Sequence, residues 1–215
     1  MLCRLCLKEW LPAVETQRKN ISVKKGEVIF KEGDAVNNIY FVYSGKVKVQ
    51  KQWGEDKELI IRFAGPGDIL GHRGLGKENI YPISATAIEP ALLCAVNLDF
   101  FKSSLMVNTN LTYQLLMFYA EELQESEKRM RNLAHMPVKG RVAYALYMLA
   151  DKFGALKDGL INITTSRQDI ASFAGTTYES AFRVMSELIQ EDVIKVTDKS
   201  IAINDKDKLA SYAVS

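Results

Sequence analysis

Thr177, Tyr178, Glu179, Phe182 and Arg183 fall on one outward face of a short helical stretch. An arginine in that setting can grip guanine through O6 and N7, and a glutamate can accept a hydrogen bond from the cytosine amine. Glu179 and Arg183 stand four residues apart, so both project from the same side. Such chemistry needs a helix held against a compact support, and the neighbouring residues supply one. Ala181, Val184 and Leu188 form the opposite, apolar stripe. Upstream, Ile170 and Ala174 share a face of an earlier helix, and Ala171 is small where the two helices would cross. Between the helices lies Gly175-Thr-Thr177. Glycine tolerates positive φ and ends the first helix, and a threonine can cap the second. This is the layout of a helix-turn-helix whose second helix enters the major groove of double-stranded DNA. Taken alone, the segment also fits an ordinary helical hairpin.

The flanks favour the first reading. Val193-Ile-Lys-Val196 and Ile201-Ala-Ile203 surround the polar turn Thr197-Asp-Lys-Ser200, which predicts a hairpin, the wing of a winged helix. Before the motif, Val142, Ala145, Leu146 and Leu149 give a helical period over 138–153. Residues 137–215 contain ten basic and ten acidic side chains, so the module is neutral in sum. Its positive surface must come from placement of Lys139, Arg141, Arg167, Arg183, Lys195 and Lys199 on one face, because phosphate contacts supply much of DNA affinity.

The first two thirds of the chain read differently. Over residues 21–97, β-rich runs alternate with glycine-marked turns: Glu27-Val-Ile-Phe30, Ile39-Tyr-Phe-Val-Tyr43, Val47-Lys-Val49 and Leu59-Ile-Ile-Arg-Phe63. Spacing of that kind predicts an antiparallel sandwich or jelly roll. A long helix is expected from about Leu98 to Ala134. Leu116, Tyr119, Leu123, Ser126, Met130 and Leu133 step by 3, 4, 3, 4 and 3, the seam of a coiled coil, with Leu105, Thr109 and Thr112 extending it upstream. Leu111, Leu115 and Phe118 form a neighbouring stripe suited to the chain's own sandwich. The expected fold is α+β. An antiparallel β-roll with a short N-terminal helix spans 1–97, a dimerisation helix and hinge span 98–136, and a winged helix-turn-helix spans 137–215. A homodimer through the seam follows.

Composition excludes several classes. The chain has 215 residues, 47% of them hydrophobic and 25% charged, enough for two modest cores. No apolar run approaches the ~18 residues of a membrane span, and charge interrupts the N-terminal residues, so a cytoplasmic protein with no membrane partner is expected. Three cysteines, Cys3, Cys6 and Cys94, argue against a disulfide framework. Cys3 and Cys6 make only half a metal site, and Cys94 reads as a buried small hydrophobe. The two histidines, His72 and His135, stand without a nucleophile set, an HExxH motif or phosphate-cradling glycines, so no enzyme is expected. His135 reads as a helix-end residue at the hinge.

Gly33-Asp34, Ser44-Gly45 and Gly65-Pro-Gly-Asp68 turns, a long helix, a hinge and then Ser166-Arg-Gln-Asp-Ile-Ala…Gly…Glu-x-x-x-Arg resemble the CRP/FNR family. These are bacterial transcription regulators related to the cyclic-AMP receptor protein, and the likeness extends over residues 20–204. It implies a sensor domain of cyclic-nucleotide-binding type, a homodimer and a palindromic operator. By that resemblance Arg167 is a phosphate contact and Glu179 and Arg183 read bases. Tyr178 stands where the cyclic-AMP receptor has arginine, and Phe182 where some relatives have serine. Activation would add contacts to RNA polymerase, for which the loop around Lys157-Asp-Gly159 is the candidate by resemblance.

The effector site departs further. Cyclic-nucleotide binders of the family use a glutamate for the ribose and an arginine–serine pair for the cyclic phosphate. Here Gly71 is retained, but His72 takes the glutamate position and Ile83-Ser84 the arginine–serine position. Arg73 is displaced along the loop, and Ser126 on the long helix could face a base. A buried phosphate without its arginine is costly, so cyclic AMP and cyclic GMP are not expected. An iron–sulfur cluster needs four thiolates, and haem would rest on His72 alone, so neither is expected. What remains is an unidentified small-molecule effector. The competing reading is a ligand sensor or scaffold that does not bind DNA.

Overall fold

The computed structural model describes residues 6–54, 57–156 and 158–213. The glycine-punctuated runs fold into two four-stranded sheets, with strand orders β1-β8-β3-β6 and β2-β7-β4-β5. The strands are β1 (Arg18–Val23), β2 (Val28–Phe30), β3 (Asn38–Ser44), β4 (Val47–Trp53), β5 (Lys57–Ala64), β6 (Ile69–Leu70), β7 (Ser84–Ala87) and β8 (Ala91–Asn97). In β4, Val47 and Val49 are buried while Lys48 between them is half-exposed, the alternation of a sheet with one face on the core. Ile39, Phe41, Phe63, Leu93 and Val96 fill that core. The turn that carries the chain from β3 in one sheet to β4 in the other is made at Gly45, at φ 82°, where a Cβ would lie 2.4 Å from the Pro90 carbonyl oxygen.

Two strands and one break differ from expectation. β1 is Arg-Lys-Asn-Ile-Ser-Val, exposed over its first five residues, and it exists because it pairs with β8 from Arg18–Val96 to Val23–Ala91. β6 has only two residues, paired to β3. The helix expected from Leu98 onward is two helices, α2 (Leu98–Val107) and α3 (Thr109–His135). Asn108 interrupts them: its amide Nδ2 donates to the Ser104 carbonyl at 2.8 Å, and its Oδ1 accepts from the Leu7 backbone at 2.7 Å. An asparagine that bonds backbone in this way competes with helix continuation. Leu105 therefore lies on α2 and does not extend the α3 seam. The same region anchors the N-terminal part, a 3₁₀ turn at Lys8–Trp10 and helix α1 (Leu11–Gln17). Trp10 stacks on Phe100 at 5.8 Å and donates from Nε1 to the Ser104 hydroxyl.

The later part contains α4 (Val138–Phe153), α5 (Arg167–Ala174), α6 (Tyr178–Gln190), the hairpin β9 (Ile194–Thr197) and β10 (Ser200–Ile203), and α7 (Lys206–Tyr212). Val142, Leu146, Ile170, Ala171, Ala181 and Leu188 are buried together with Leu209 of α7, a helix the residue pattern did not announce. Asp205 caps α7 by accepting from the Lys208 backbone at 2.8 Å. The chain divides into two compact units, residues 1–55 with 62–126, and residues 56–61 with 127–215.

Candidate functional site

Local chemistry builds the α5–α6 pair. Ser166 Oγ accepts from the Asp169 backbone at 3.0 Å, and Asp169 accepts from the Ser166 backbone at 3.1 Å, a complete capping box. α5 ends at Gly175 in the left-handed region, φ 61°, where a Cβ would also meet Leu133 Cδ2 at 2.3 Å. Arg141 donates to the carbonyls of Ala174 and Gly175, satisfying the exposed end of that helix. Thr177 then caps α6 by accepting from the Ser180 backbone at 3.3 Å. With Ala181, Val184 and Leu188 buried, Thr177, Tyr178, Glu179, Phe182 and Arg183 are all exposed. The rings of Tyr178 and Phe182 stack at 6.2 Å, and the Arg167 guanidinium lies 5.1 Å from the Phe182 ring centre.

Part of the charge in this unit is used within its own fold. Lys139 pairs with Glu191 at 2.6 Å and with Glu187 at 3.8 Å, and Lys208 and the Tyr212 hydroxyl also meet Glu191. Lys139 and Arg141 therefore do not belong to a free cationic face; the first is neutralised and the second is half-buried in the turn. Arg167, Arg183, Lys195 and Lys199 are exposed and make no ion pair among the described residues. Glu187 and Glu191 are thus engaged with Lys139 and Lys208, while Arg167, Arg183, Lys195 and Lys199 remain available to an anionic partner.

A second cluster lies in the β-roll. Gly71, at φ 82°, leads into a 3₁₀ turn at His72–Gly74; a Cβ there would stand 3.0 Å from the Tyr81 ring. His72 is 2% exposed, with Phe118 and Tyr119 of α3 edge-on at 5.1 and 5.4 Å. Tyr119 donates its hydroxyl proton to the His72 carbonyl. Glu122 sits among cations: Arg73 at 2.6 Å and Arg62 at 3.7 Å, with His72 Nε2 at 3.9 Å. Burial raises the Glu122 carboxyl pKa, but His72, Arg62 and Arg73 outweigh it and hold the group at about 2. Burial pushes the His72 imidazole below its ordinary value, Glu122 pulls it back only in part, and neither ring nitrogen has a hydrogen-bond partner. The 3.9 Å separation is too long for a hydrogen bond; Arg73 is the hydrogen-bonded partner of Glu122, and Arg62 at 3.7 Å adds its charge.

Beside this cluster is a cleft of about 510 Å³ lined by Arg73, Lys77, Glu32 and Glu78 among others. Arg73 is committed to Glu122 and Glu32 to Lys51. Ile83 is buried, and Ser84 Oγ accepts from the Glu32 backbone at 2.9 Å, so neither brings charge to the cleft. Ser126 is half-buried on α3.

The sequence profile of the cyclic nucleotide-binding domain matches residues 20–108, and that of the Crp-like helix-turn-helix domain matches residues 140–212. The chain belongs to the CRP/FNR family of transcription regulators. The CRP-like cAMP-activated global transcriptional regulator of Mycobacterium tuberculosis is 26% identical over 205 residues, covering 94% of this chain and 92% of that protein. The anaerobic regulatory protein of Bacillus subtilis is 28% identical over 207 residues, covering 94% and 86%. The structure of FixK2 from Bradyrhizobium japonicum superposes with a TM-score of 0.82 at 23% identity, covering 92% of this chain and 98% of that one.

In this CRP/FNR regulator several residues stand elsewhere than their spacing implied. Tyr119, spaced as a seam residue, is half-buried, and its ring and hydroxyl are engaged with His72. Leu116, Leu123 and Met130 remain exposed on α3, while Leu133 reaches the Gly175 turn. Cys94 is half-exposed rather than buried, and Cys3 lies outside the described residues. Arg62 and Glu122 escaped the residue reading, yet a signal existed. Glu122 continues the inward stripe Leu111, Leu115 and Phe118 at the next helical step, and a charge on such a stripe needs a partner. Among the described residues no helix is long and apolar enough to cross a membrane.

Proposed function

We propose that this regulator binds a two-fold symmetric operator in the cytoplasm as a homodimer, with Glu179 and Arg183 reading bases and Arg167, Lys195 and Lys199 holding phosphates. Thr177, Tyr178 and Phe182 complete the face that enters the groove. The observation that carries this reading is the exposed, unpaired Arg183 one turn from Glu179, on a helix whose opposite face is fully buried. Two such helices in a symmetric dimer reach successive major grooves ~34–36 Å apart. Arg183→Ala should cost about 1–3 kcal/mol on the best site and little on scrambled duplex. Lys195→Ala should weaken both duplexes alike and lower the salt slope by about 1. Titrations of both variants across a salt series check this. Equal losses on the two duplexes for Arg183→Ala would make it a phosphate contact.

The dimer rests on the exposed Leu116, Leu123 and Met130 of α3, each seven residues from the next. An effector acts through the β-roll, and its chemistry differs from that of the cAMP-activated relative. The cations Arg62 and Arg73 are both turned to the chain's own Glu122, and Ile83 brings no charge. Calorimetric titration with cyclic AMP should therefore give no binding at micromolar concentration. Micromolar affinity would mean that Arg73 leaves Glu122 for the phosphate.

A further inference from the structure

Tyr178 and Phe182 are 41% and 42% exposed, although each carries a large apolar ring. They project away from Ala181, Val184 and Leu188, so the core of the unit makes no use of them. They lie four residues apart and stack with an interplanar angle of 17° at 6.2 Å, a paired aromatic plate along α6. Arg167 of α5 covers the Phe182 ring from 5.1 Å, which fixes the plate before any partner arrives. Glu179 and Arg183 stand about 100° round the helix from Tyr178 and Phe182, and all four are exposed opposite the buried stripe, so the apolar and the polar pair lie side by side on the surface proposed to enter the groove.

A rigid apolar plate between hydrogen-bonding groups calls for an apolar patch among hydrogen-bonding base edges. In the major groove that patch is the 5-methyl group of thymine. We propose that the Tyr178–Phe182 plate is a thymine reader, packing on the 5-methyl groups of thymines that adjoin the G·C pair contacted by Glu179 and Arg183. The assignment rests on the DNA-binding reading above. It accounts for both aromatic residues at once: neither offers the bidentate hydrogen bonding of arginine or asparagine, and both offer area at low conformational cost. Arg167, standing over the outer ring, is placed to hold a phosphate while closing the plate against water.

The experiment has two stages. The full-length protein first selects its best duplex from a random pool. Failure to enrich any sequence overturns the DNA reading and this inference with it. In the selected duplex each thymine is then replaced by deoxyuridine, which removes the methyl group and keeps the pairing. One or two positions per half-site should lose about fourfold in affinity for each methyl removed. Because uracil also alters base stacking, the same duplexes are titrated with Tyr178→Ser, Phe182→Ser and the double variant. A contact to the methyl predicts that the thymine-to-uracil ratio falls to one in the double variant, a change that general weakening of the helix would not produce. Selection of sites without thymine beside the G·C pair overturns the inference. So does a ratio of one in the unmodified protein, or a ratio that survives in the double variant.

Discussion

Leu123→Asp should convert the regulator from dimer to monomer at micromolar concentration. Leu123 is 60% exposed in the single chain, flanked by Leu116 at 63% and Met130 at 60%. Full burial of one leucine contributes about 1.5–3 kcal/mol, and a two-fold axis counts it twice. The substitution removes that gain and sets two carboxylates in an apolar seam. A loss above about 3 kcal/mol raises the dissociation constant more than a hundredfold. Sedimentation velocity reads the outcome directly. A variant that remains dimeric would place the subunit joint on another surface. Specific DNA affinity should fall with it, because half-sites would then be bound singly.

Glu122→Gln should lower the stability of the β-roll unit by about 3 kcal/mol, since removing one partner of a buried ion pair strands the others. The side chains involved are sheltered, Arg62 at 12% and Glu122 at 18% exposure, so solvent does little to compensate. For a chain of this size that corresponds to a melting temperature lower by about 6–12 °C. The pH dependence has a definite sign. Glu122 titrates at about 2 in the folded protein against an ordinary 4.5, so its contribution is present above 4.5 and is lost as pH falls toward 2. His72 lies below its ordinary 6.5, so unfolding binds a proton and stability begins to decline as pH drops through 6.5. Urea unfolding at pH 7.5, 5.5 and 4 should show the wild type weakening in two stages. The Glu122→Gln variant should start lower and keep only the upper stage. A wild type equally stable at 7.5 and 5.5 would mean that His72 is not held neutral.

The helix-turn-helix was legible because its signals are local. Ser166, Gly175 and Thr177 mark the helix ends within the stretch they shape, and the apolar stripes of α5 and α6 need no distant partner to be recognised. β1 was not legible, because a polar hexamer becomes a strand only when β8 pairs with it. The division of α2 from α3 depends on a bond from Leu7 to Asn108, 101 residues apart, which no periodicity records. The spacing of Tyr119 from Leu116 and Leu123 places it on the seam, while its contacts lie inward. A seam position and the inward stripe are neighbours on a helix surface, and an aromatic ring can serve either. What decided was His72, far away in sequence, with a carbonyl for the tyrosine hydroxyl. The ion cluster was hidden for the same reason: Arg62, Arg73 and Glu122 come from a strand, a turn and a helix.

Within two turns, α3 gives Tyr119 and Glu122 to the cluster around His72 and Arg73 and leaves Leu116 and Leu123 exposed. Helix geometry ties about 1.5 Å along the axis to roughly 100° around it from one residue to the next. In the proposed homodimer, a screw-like slip of only half a residue, driven by re-pairing of Glu122, would swing Leu123 by roughly 50° relative to its counterpart. In that dimer the quantity such a rod would transmit is an angle. The regulator would act as a torsion gauge, in which the chemistry on one flank sets the twist of the joint on the other.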